Sequence, residues 1–516
     1  MKIMAGRSDP TAQFKSLDRF LKTASVQCIV LAVILVLPSV IEATRLESLG
    51  YANSWLQIQV GNWIIAHHSV PHFGIFSQFP DLPWDDPSWS LQVALAILYR
   101  MLGMRALPVA IMVLRVLFAL TVFILAGGRG NFWRAIGITV WAQAAWVGST
   151  FLPGTLCSAA LFAGEFVLLL RSRSPGRQKL LFWMPLLIWV WANIDWRFVI
   201  GVAVFCLFCA ASAIEAYLQK RNWHFGWPEK PALSVSQLGL VGGLALIASL
   251  VSPSSYHSYI TAWQNILGAS ALDNSLIIKS LTFREPQHYL LMFLAMWAFF
   301  LLGRRQAKDL FLVLALATGV SAGLSLGTEG WIAVICSVAV IGESLSCTGV
   351  VAGRAPQMSG TVFGAAAALA ALVLVFGATR IPSRSDSLLK IIARTLPVRA
   401  CDAIRTNHLP QPIYNEMAWG DFLVWYLPEY PVAIDDRYEL YGEAKTRNYY
   451  DVTRGQSAPS SDPALMAANT IILSPDIGII KGVDLFPDPE EMFHSTFPGF
   501  HEVYRDDLAV VLSRQP

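Results

Sequence analysis

Long apolar segments dominate this chain and restrict it to a structure that crosses a lipid bilayer repeatedly. Apolar residues make up 55% of the 516 and charged residues only 14%, a balance typical of membrane proteins. Because a helix needs about 20 apolar residues to cross the hydrocarbon core, the sequence predicts an α-helical polytopic protein with about eleven crossings. The predicted spans lie near residues 24–41, 105–126, 135–150, 153–170, 180–194, 198–217, 234–251, 288–302, 309–326, 331–345 and 360–379.

Basic residues predict how these spans are oriented, since Lys and Arg concentrate in cytoplasmic loops. The basic clusters all fall on one side if residues 89–104 form a re-entrant or interfacial helix instead of a crossing. This arrangement predicts a cytoplasmic N-terminus, a retained first span rather than a cleaved signal peptide, and an extracytoplasmic C-terminus. The clusters are Lys15, Arg19 and Lys22; Arg129 and Arg134; Arg171 to Lys179; Lys220 and Arg221; and Arg304 to Lys308.

The composition changes at residue 380, where a polar C-terminal part begins that holds 19 of the 35 acidic residues. We predict two domains. Residues 1–379 form the membrane domain, with an outer loop at 42–88, and residues 380–516 form a small extracytoplasmic α/β domain. Within the second domain, strands are predicted at Val432–Asp435, Asn469–Ser474 and Leu508–Ser513, and a helix at Asp488–His494.

Few acidic side chains in the membrane domain are placed to do chemistry. The seven cysteines support neither a disulfide framework nor a zinc site, so no metal ligands are assigned. The membrane domain therefore offers few side chains that could act in catalysis. The acidic residues on its predicted outer face are Glu42, Glu47, Asp81, Asp85, Asp86, Asp195, Asp273, Glu285 and Glu329.

The first candidate site is the loop segment PWDDPSW, which begins at Pro83. Trp84 and Trp89 suit a membrane interface and could stack on a sugar ring. Asp85 or Asp86 could deprotonate an acceptor hydroxyl or hold a divalent cation. The structural alternative is an Asp-Pro turn that starts a helix, with Asp86 as its cap.

The second candidate site is the segment WANIDWRF, residues 191–198, at the outer end of one span. Asp195 and Arg197 could pair with each other, which would be a structural role. Alternatively, Arg197 could hold a lipid phosphate by a bidentate contact. Arg284 and Glu285 fall on the same predicted side, and we expect Arg197 and Arg284 to line one cavity beneath the first loop.

The third candidate site is the string NEMAWGDFLVWYLPEYPVAIDDRYELYG, residues 415–442. Trp419 and Asp421 belong to its first half, and Gly420 and Asp421 are typical of a helix N-terminus. In its second half, Asp435 and Arg437 lie at the end of the predicted strand, where charged residues can form a site. A local ion pair between Asp436 and Arg437, with Tyr441 packed over it, is the structural alternative.

These three segments resemble bacterial polytopic proteins of the GT-C glycosyltransferase superfamily that use polyprenyl-phosphate sugars. The first loop of that family typically reads D-x-D-x-W-W-H-L-R-x-G-x-W-I, then P-x-x-D-x-F-S, then P-W-x-x-x-E-W. Its later motifs are W-A-N-L-H-G-G-F, W-G-G-Y-L-I-W and V-F-I-D-G-R-x-D-L-Y-G. The loop residues that match here are Trp55, Gly61, Trp63, Ile64, Pro71, Phe76, Ser77, Pro83, Trp84 and Trp89.

The resemblance implies a protein of the bacterial inner membrane that transfers a sugar from a polyprenyl-phosphate donor to a cell-envelope acceptor. It implies membrane lipid and lipid-linked sugar as partners, and no nucleic acid. However, the loop positions of the family's acids, His, Arg and Glu are filled by uncharged residues. An amide cannot act as a base, so a degenerate scaffold or lipid-binding subunit is the alternative. The substituted positions are Tyr51, Asn53, Gln57, Gln59 and Ser88.

Overall fold

A computed structural model describes residues 23–128, 130–146, 152–221, 233–271, 281–305, 309–347, 358–484 and 496–514. Among the described residues up to Arg380, fourteen α-helices account for most of the chain. They are α1 (Ala24–Arg45), α2 (Asn53–His67), α3 (Trp89–Leu102), α4 (Ala106–Leu125), α5 (Phe132–Ala145), α6 (Pro153–Ser172), α7 (Met184–Ala192), α8 (Phe198–Lys220), α9 (Val235–Ser249), α10 (His257–Ala271), α11 (Pro286–Arg304), α12 (Leu310–Ser325), α13 (Gly330–Cys347) and α14 (Gly360–Arg380).

Every predicted apolar span overlaps one of these helices, as expected for a membrane protein. Among the described residues, six helical stretches are long and apolar enough to cross a bilayer, and four shorter apolar helices accompany them. The count of eleven crossings stays a prediction, and so does the orientation. Several residues that carry the orientation argument, and one listed acid, lie outside the described residues: Lys15, Arg19, Lys22, Arg129, Lys308 and Asp273.

The segment predicted to be re-entrant or interfacial forms helix α3, which is separate from α4. Gly103 divides the two helices, and its φ of 59° lies in a region that side chains disfavour. Helix α3 packs closely on α2 at Gly61. A Cβ atom at this position would lie only 2.0 Å from the carbonyl oxygen of Gln92. Only glycine permits that approach, which gives a physical reason for the glycine in the loop motif.

The part after residue 380 combines helices with a four-stranded sheet in the order β1-β2-β4-β3. Strand β1 pairs with β2 in parallel, whereas β2 with β4 and β4 with β3 are antiparallel. Its elements are α15 (Ser385–Ile392), α16 (Val398–Thr406), β1 (Ile413–Asn415), α17 (Met417–Tyr426), α18 (Tyr438–Thr453), α19 (Pro463–Ala467), β2 (Thr470–Leu473), α20 (Gly478–Asp484), β3 (His501–Arg505) and β4 (Val510–Ser513).

Two of the predicted strands are confirmed, as β2 and β4, while the one predicted at Val432–Asp435 is wrong. There, Val432 makes only an isolated bridge to the first loop: its N–H donates to the Phe76 carbonyl (3.0 Å), and its carbonyl accepts from Gln78 N–H (3.0 Å). The apolar run is buried against that loop rather than in the sheet. The helix predicted at Asp488–His494 lies outside the described residues.

The protein buries two hydrophobic cores. One lies among the membrane helices and includes Phe162, Phe166 and Trp331. The other is built jointly by the first loop and the C-terminal part, where Trp55 of α2 and Phe422 of α17 are buried in one cluster. Because they share a core, the first loop and the C-terminal part hold each other in place, and the site described next lies against both.

Candidate active site

A cavity of about 160 Å³ lies where three segments, namely the first loop, the turn after α7 and the start of α18, meet the start of α6 and helix α10. These are the three segments that the sequence analysis selected. The cavity is unusually rich in carboxylates, since four acidic side chains line it beside two guanidinium groups. Its polar lining residues are Asn53, Gln57, Asp86, Ser88, Thr155, Asp195, Arg197, Thr261, Asn265, Asp436, Arg437 and Glu439.

Asp86 lines this cavity and forms the turn that precedes helix α3, whose N-cap residue is Ser88 and not Asp86 as the structural alternative expected. Its carboxylate accepts the backbone N–H of Ser88 (2.8 Å) and the side-chain amide of Gln92 (2.5 Å). Burial raises the pKa of Asp86 above its usual range. The turn-forming role is therefore present, and it leaves the carboxyl group facing the cavity.

Asp85, the neighbouring candidate, is turned elsewhere. Its carboxylate contacts Nδ1 of His72 at 2.5 Å, and the His72 side chain is 54% exposed. Its backbone carbonyl accepts a hydrogen bond from the Thr261 hydroxyl (3.0 Å). Asp85 does not line the cavity, so the structure separates the two adjacent carboxylates by environment.

Arg197 lies in the cavity wall between two carboxylates. Its Nε and NH2 groups contact Glu329 at 2.8–3.0 Å, and its NH1 group contacts Asp195 at 3.1–3.3 Å. Glu329 is fixed in turn by the indole N–H of Trp331 (2.6 Å). Gly154 makes room for this cluster, because a Cβ atom there would lie 2.5 Å from Asp195 Oδ2. The pairing of Asp195 with Arg197 is thus present, with Glu329 as a second partner.

Arg437 forms a buried ion pair that supports the opposite wall. Its guanidinium donates to both oxygens of Asp435 (2.6 and 2.9 Å) and to the Ile75 carbonyl (2.9 Å). The Tyr441 hydroxyl also donates to Asp435 (3.0 Å). The expected pairing of Arg437 with Asp436 is therefore wrong: Asp435 takes that place, and Asp436 faces the cavity.

Trp84 fixes the loop to this wall instead of facing a ligand. The ring is 2% exposed and lies 4.7 Å from the Arg437 guanidinium. Its indole N–H donates to Glu439 (3.0 Å). Burial and the nearby Asp86 raise the pKa of Glu439 to about 7.

Asp421 lies behind the cavity, buried in the second turn of α17, so its prediction as a helix N-terminus is wrong. Gly420 brings α17 onto the backbone of the next segment, because a Cβ atom there would lie 2.2 Å from the Ile434 carbonyl oxygen. Asp421 accepts hydrogen bonds from the Asn53 amide (3.1 Å) and from Asp436 N–H (3.3 Å). Burial, together with Asp436, raises the pKa of Asp421 well above its usual range.

Asp436 is the carboxylate most open to the cavity. Asp436 is exposed on the cavity side, and partial desolvation by the surrounding protein together with the nearby Asp435 raises the pKa of Asp436 to about 7. Within the described part of the chain, no residue donates a hydrogen bond to its side-chain oxygens. A carboxyl group with this pKa and free oxygens is suited to accept a proton near neutral pH.

The remaining predicted site residues are spread more widely. Trp89 donates its indole N–H to Asn193 (2.8 Å) in the turn that carries Asp195, and Trp419 is buried in the second core. Arg284 and Glu285 are exposed just before α11 and do not line this cavity, so the expectation that Arg284 and Arg197 share it is not met. The sequence analysis missed the cavity roles of Glu439 and Asn53, although Glu439 follows Asp436 by one helical turn.

A divalent cation has no preformed site here. Among the described residues, no group of three or more His, Cys, Asp or Glu side chains is arranged to hold a metal ion. The cavity carboxylates are instead occupied by arginine, amide and indole partners, apart from Asp436. The divalent cation considered for Asp85 or Asp86 stays a prediction.

The fold is similar to that of the solved oligosaccharyltransferases of Archaeoglobus fulgidus. The structure with a tethered acceptor peptide containing the NVT sequon aligns with a TM-score of 0.50 and 12% identity, over 94% of this chain and 74% of that one. The AglB complex with an inhibitory peptide and a dolichol-phosphate gives 0.51 and 11%, over 86% and 69%. The apo form gives 0.52 and 11%, over 87% and 69%. This chain has a GT-C fold.

The GT-C architecture predicted from the loop motifs is thereby confirmed. At 11–12% identity the likeness establishes the fold alone. No protein-family model matches the chain, and no curated protein matches it. The bacterial source and the degeneracy of the loop motif stay predictions, and the activity has to be argued from the site.

Proposed function

We propose that this protein transfers a glycosyl group from a polyprenyl-phosphate donor to a hydroxyl-bearing acceptor of the cell envelope. The observation that carries the proposal is Asp436, an unpartnered carboxylate with a pKa of about 7 in the central cavity of a GT-C fold. The likeness to structures that contain a dolichol-phosphate and an acceptor peptide agrees with a lipid-linked donor. We assign the first loop and the C-terminal part to the extracytoplasmic side of a bacterial inner membrane.

In the proposed step, Asp436 acts as the general base. Its carboxylate takes the proton of the acceptor hydroxyl, and the acceptor oxygen forms a bond to the anomeric carbon of the donor. The bond between that carbon and the phosphate oxygen breaks, and its electron pair leaves with the polyprenyl phosphate. General-base assistance typically contributes about 10²–10⁴-fold to a rate.

Other cavity residues have supporting roles in this proposal. Asp86 and Glu439 line the same cavity, but amide and indole donors hold their oxygens, so we assign them to orienting the sugar. Arg197 lines the cavity directly before helix α8 and is our candidate for the donor phosphate. Since Asp195 and Glu329 already contact it, phosphate binding requires the guanidinium to exchange one carboxylate for the ligand.

One observation favours the alternative of a noncatalytic scaffold or lipid-binding subunit. Both guanidinium groups in the cavity are already paired with carboxylates, so little positive charge is left for a phosphate. The loop positions Tyr51 and Asn53, where related proteins carry acids, point the same way. The scaffold role needs the cavity walls but does not need a base at Asp436.

The experiment that separates these functions is the substitution Asp436→Asn, which keeps the side-chain shape and removes the base. A strain lacking the protein would be complemented with wild type, Asp436→Asn or Asp451→Asn, the last being a control on α18, the helix that begins two residues after Asp436, at a position outside the cavity. Envelope glycans and the pool of lipid-linked sugar donor would be quantified. We expect Asp436→Asn to lower glycan output about 100-fold or more and to leave the donor unconsumed, with Asp451→Asn unchanged. Wild-type output from Asp436→Asn would favour the scaffold.

A further inference from the structure

A second, larger cavity of about 550 Å³ adjoins the candidate active site. It shares Asn53, Leu152 and Asp436 with the first cavity, so the unpartnered carboxylate contacts both spaces. Its volume falls within the range of small-molecule sites, roughly 300–1,000 Å³. A base that serves an acceptor has to touch the acceptor, and Asp436 can do so from this side as well.

The walls of the second cavity are aromatic and acidic. Tyr51, Tyr449 and Tyr450 line it, and the Tyr449 hydroxyl accepts the backbone N–H of Met417 (2.8 Å), which fixes that ring. The Arg454 guanidinium lies 5.0 Å from the Tyr450 ring. Such rings offer flat apolar surface with polar edges, a combination that suits ligands with both apolar and hydroxyl-bearing faces.

The charges in this cavity disfavour an anionic ligand. Among the described lining residues, Glu416, Asp436 and Asp476 are acidic and Arg454 is the single cation. Glu416 is held by the backbone N–H of Ser474 (2.8 Å). A phosphate or a carboxylate group would meet more negative than positive charge here, whereas hydroxyl groups can donate to carboxylates.

The position of this cavity also separates it from the lipid phase. Its described lining residues come from the first loop and the C-terminal part, apart from Leu152 next to α6, whereas the first cavity is also lined by Trp196, Thr261 and Asn265 of the membrane part. None of these lining residues belongs to a strand of the sheet, so no strand edge is offered to an extended peptide. A ligand from the aqueous side can reach it without crossing the membrane helices.

From these observations we infer that the second cavity binds a neutral oligosaccharide as the acceptor, with the reacting hydroxyl presented to Asp436. The role of this oligosaccharide as the acceptor rests on the proposed function, but its binding to the second cavity can be tested without turnover. Ala418 is an exposed lining residue that is absent from the first cavity. A bulky side chain at Ala418 would fill the second cavity and leave the first one open.

The test uses the full-length protein in nanodiscs free of sugar-based detergents and saturation-transfer NMR with maltotriose, chitotriose and mannotriose as probes. We expect ring-proton signals from at least one probe with wild type, and at least a fivefold loss with Ala418→Trp. The control Ala444→Trp adds the same side chain at an exposed position of α18 outside the cavity and should retain the signals.

Three outcomes would overturn the inference. They are the absence of signal from all three probes, equal signals in Ala418→Trp and wild type, and stronger competition by an Asn-Val-Thr peptide than by any saccharide. Binding with no glycan transfer by the same preparation would leave this site standing and count against the transferase activity. Glycan transfer without saccharide binding would support the transferase activity and count against the saccharide site in the second cavity.

Discussion

Asn53 donates its side-chain amide to the buried carboxyl of Asp421 at 3.1 Å, across 368 residues of sequence. The contact joins α2 of the first loop to α17 of the C-terminal part directly behind the cavity. The family that the first loop resembles carries an acid at this position, but here a second carboxylate would face Asp421 and the nearby Asp436. The Asn53 amide can instead donate a hydrogen bond to this acidic pair, which a carboxylate could not do.

We expect Asn53→Asp to destabilise the protein, and more so at pH 8 than at pH 5. Burial and its acidic neighbours already raise the pKa of Asp421, and a further ionised group in contact adds repulsion as protons leave. The loss should be about 1–3 kcal/mol at pH 8. A thiol-reactive dye that reports exposure of the buried Cys401 and Cys336 would measure unfolding. Asn62→Asp on the same helix, where Arg100 is the partner, should cause no loss.

Gly420→Ala should lower stability by about 1–3 kcal/mol, because a Cβ atom there would approach backbone that cannot move aside. The displaced α17 would also shift Asp421 away from Asp436. Gly137→Ala in α5 is the matched control, since nothing lies within 4 Å of its added Cβ atom. Equal unfolding midpoints for both variants in the thiol-dye assay would contradict the close packing of α17.

The raised pKa of Glu439 predicts that the free energy of unfolding depends on pH. The pKa of Glu439 is raised from 4.5 to about 7, so the folded protein holds a proton that the unfolded chain releases. The free energy of unfolding should therefore fall as pH rises from about 4.5 to about 7, by on the order of 2 kcal/mol, and level off above. Glu439→Gln keeps an acceptor for Trp84 and should remove this component. An unchanged pH profile in that variant would show that Glu439 titrates normally.

Arg197 and Glu329 should have opposite effects on the binding of a polyprenyl phosphate. Arg197→Ala removes a charge-assisted contact and should weaken binding about tenfold or more. Glu329→Gln leaves the guanidinium with only Asp195 as a charged partner and should strengthen binding severalfold. Lipid titration of purified protein in nanodiscs, followed by native mass spectrometry, would measure both. Weaker binding in both variants would assign the pair to structure rather than to the donor site.

The helices, two strands and the GT-C architecture could be predicted because their signals are local. Apolar runs mark the spans, and a Pro-Trp-Asp-Asp-Pro turn marks the start of α3. The partner choices within the site could not be predicted in this way, because they depend on distant segments. Arg197 finds Glu329 132 residues away, and Trp84 finds Glu439 355 residues away.

The wrong predictions follow from the same limit. Val432–Asp435 has the composition of a strand, yet the backbone groups of Val432 bond to the loop residues Phe76 and Gln78, and those of Ala433 and Ile434 bond to the Asn415 side chain. Asp435 and Asp436 are chemically identical neighbours, yet Arg437 pairs with Asp435, whose backbone packs against Gly420 of α17. A sequence pattern identifies which residues are charged, but not which wall each of them faces.

The core shared by the first loop and the C-terminal part has a consequence for biogenesis. During synthesis the loop residues Trp55 and Ile58 emerge long before Phe422 and Ile472, against which this part of the chain packs. This shared core can therefore form only after the C-terminal part has been synthesised, near the end of translation. A chain that stops near residue 380 would keep the packing of α2 on α3 but would lack the C-terminal half of this core, so protease sensitivity of the loop would report on how far each nascent chain has progressed.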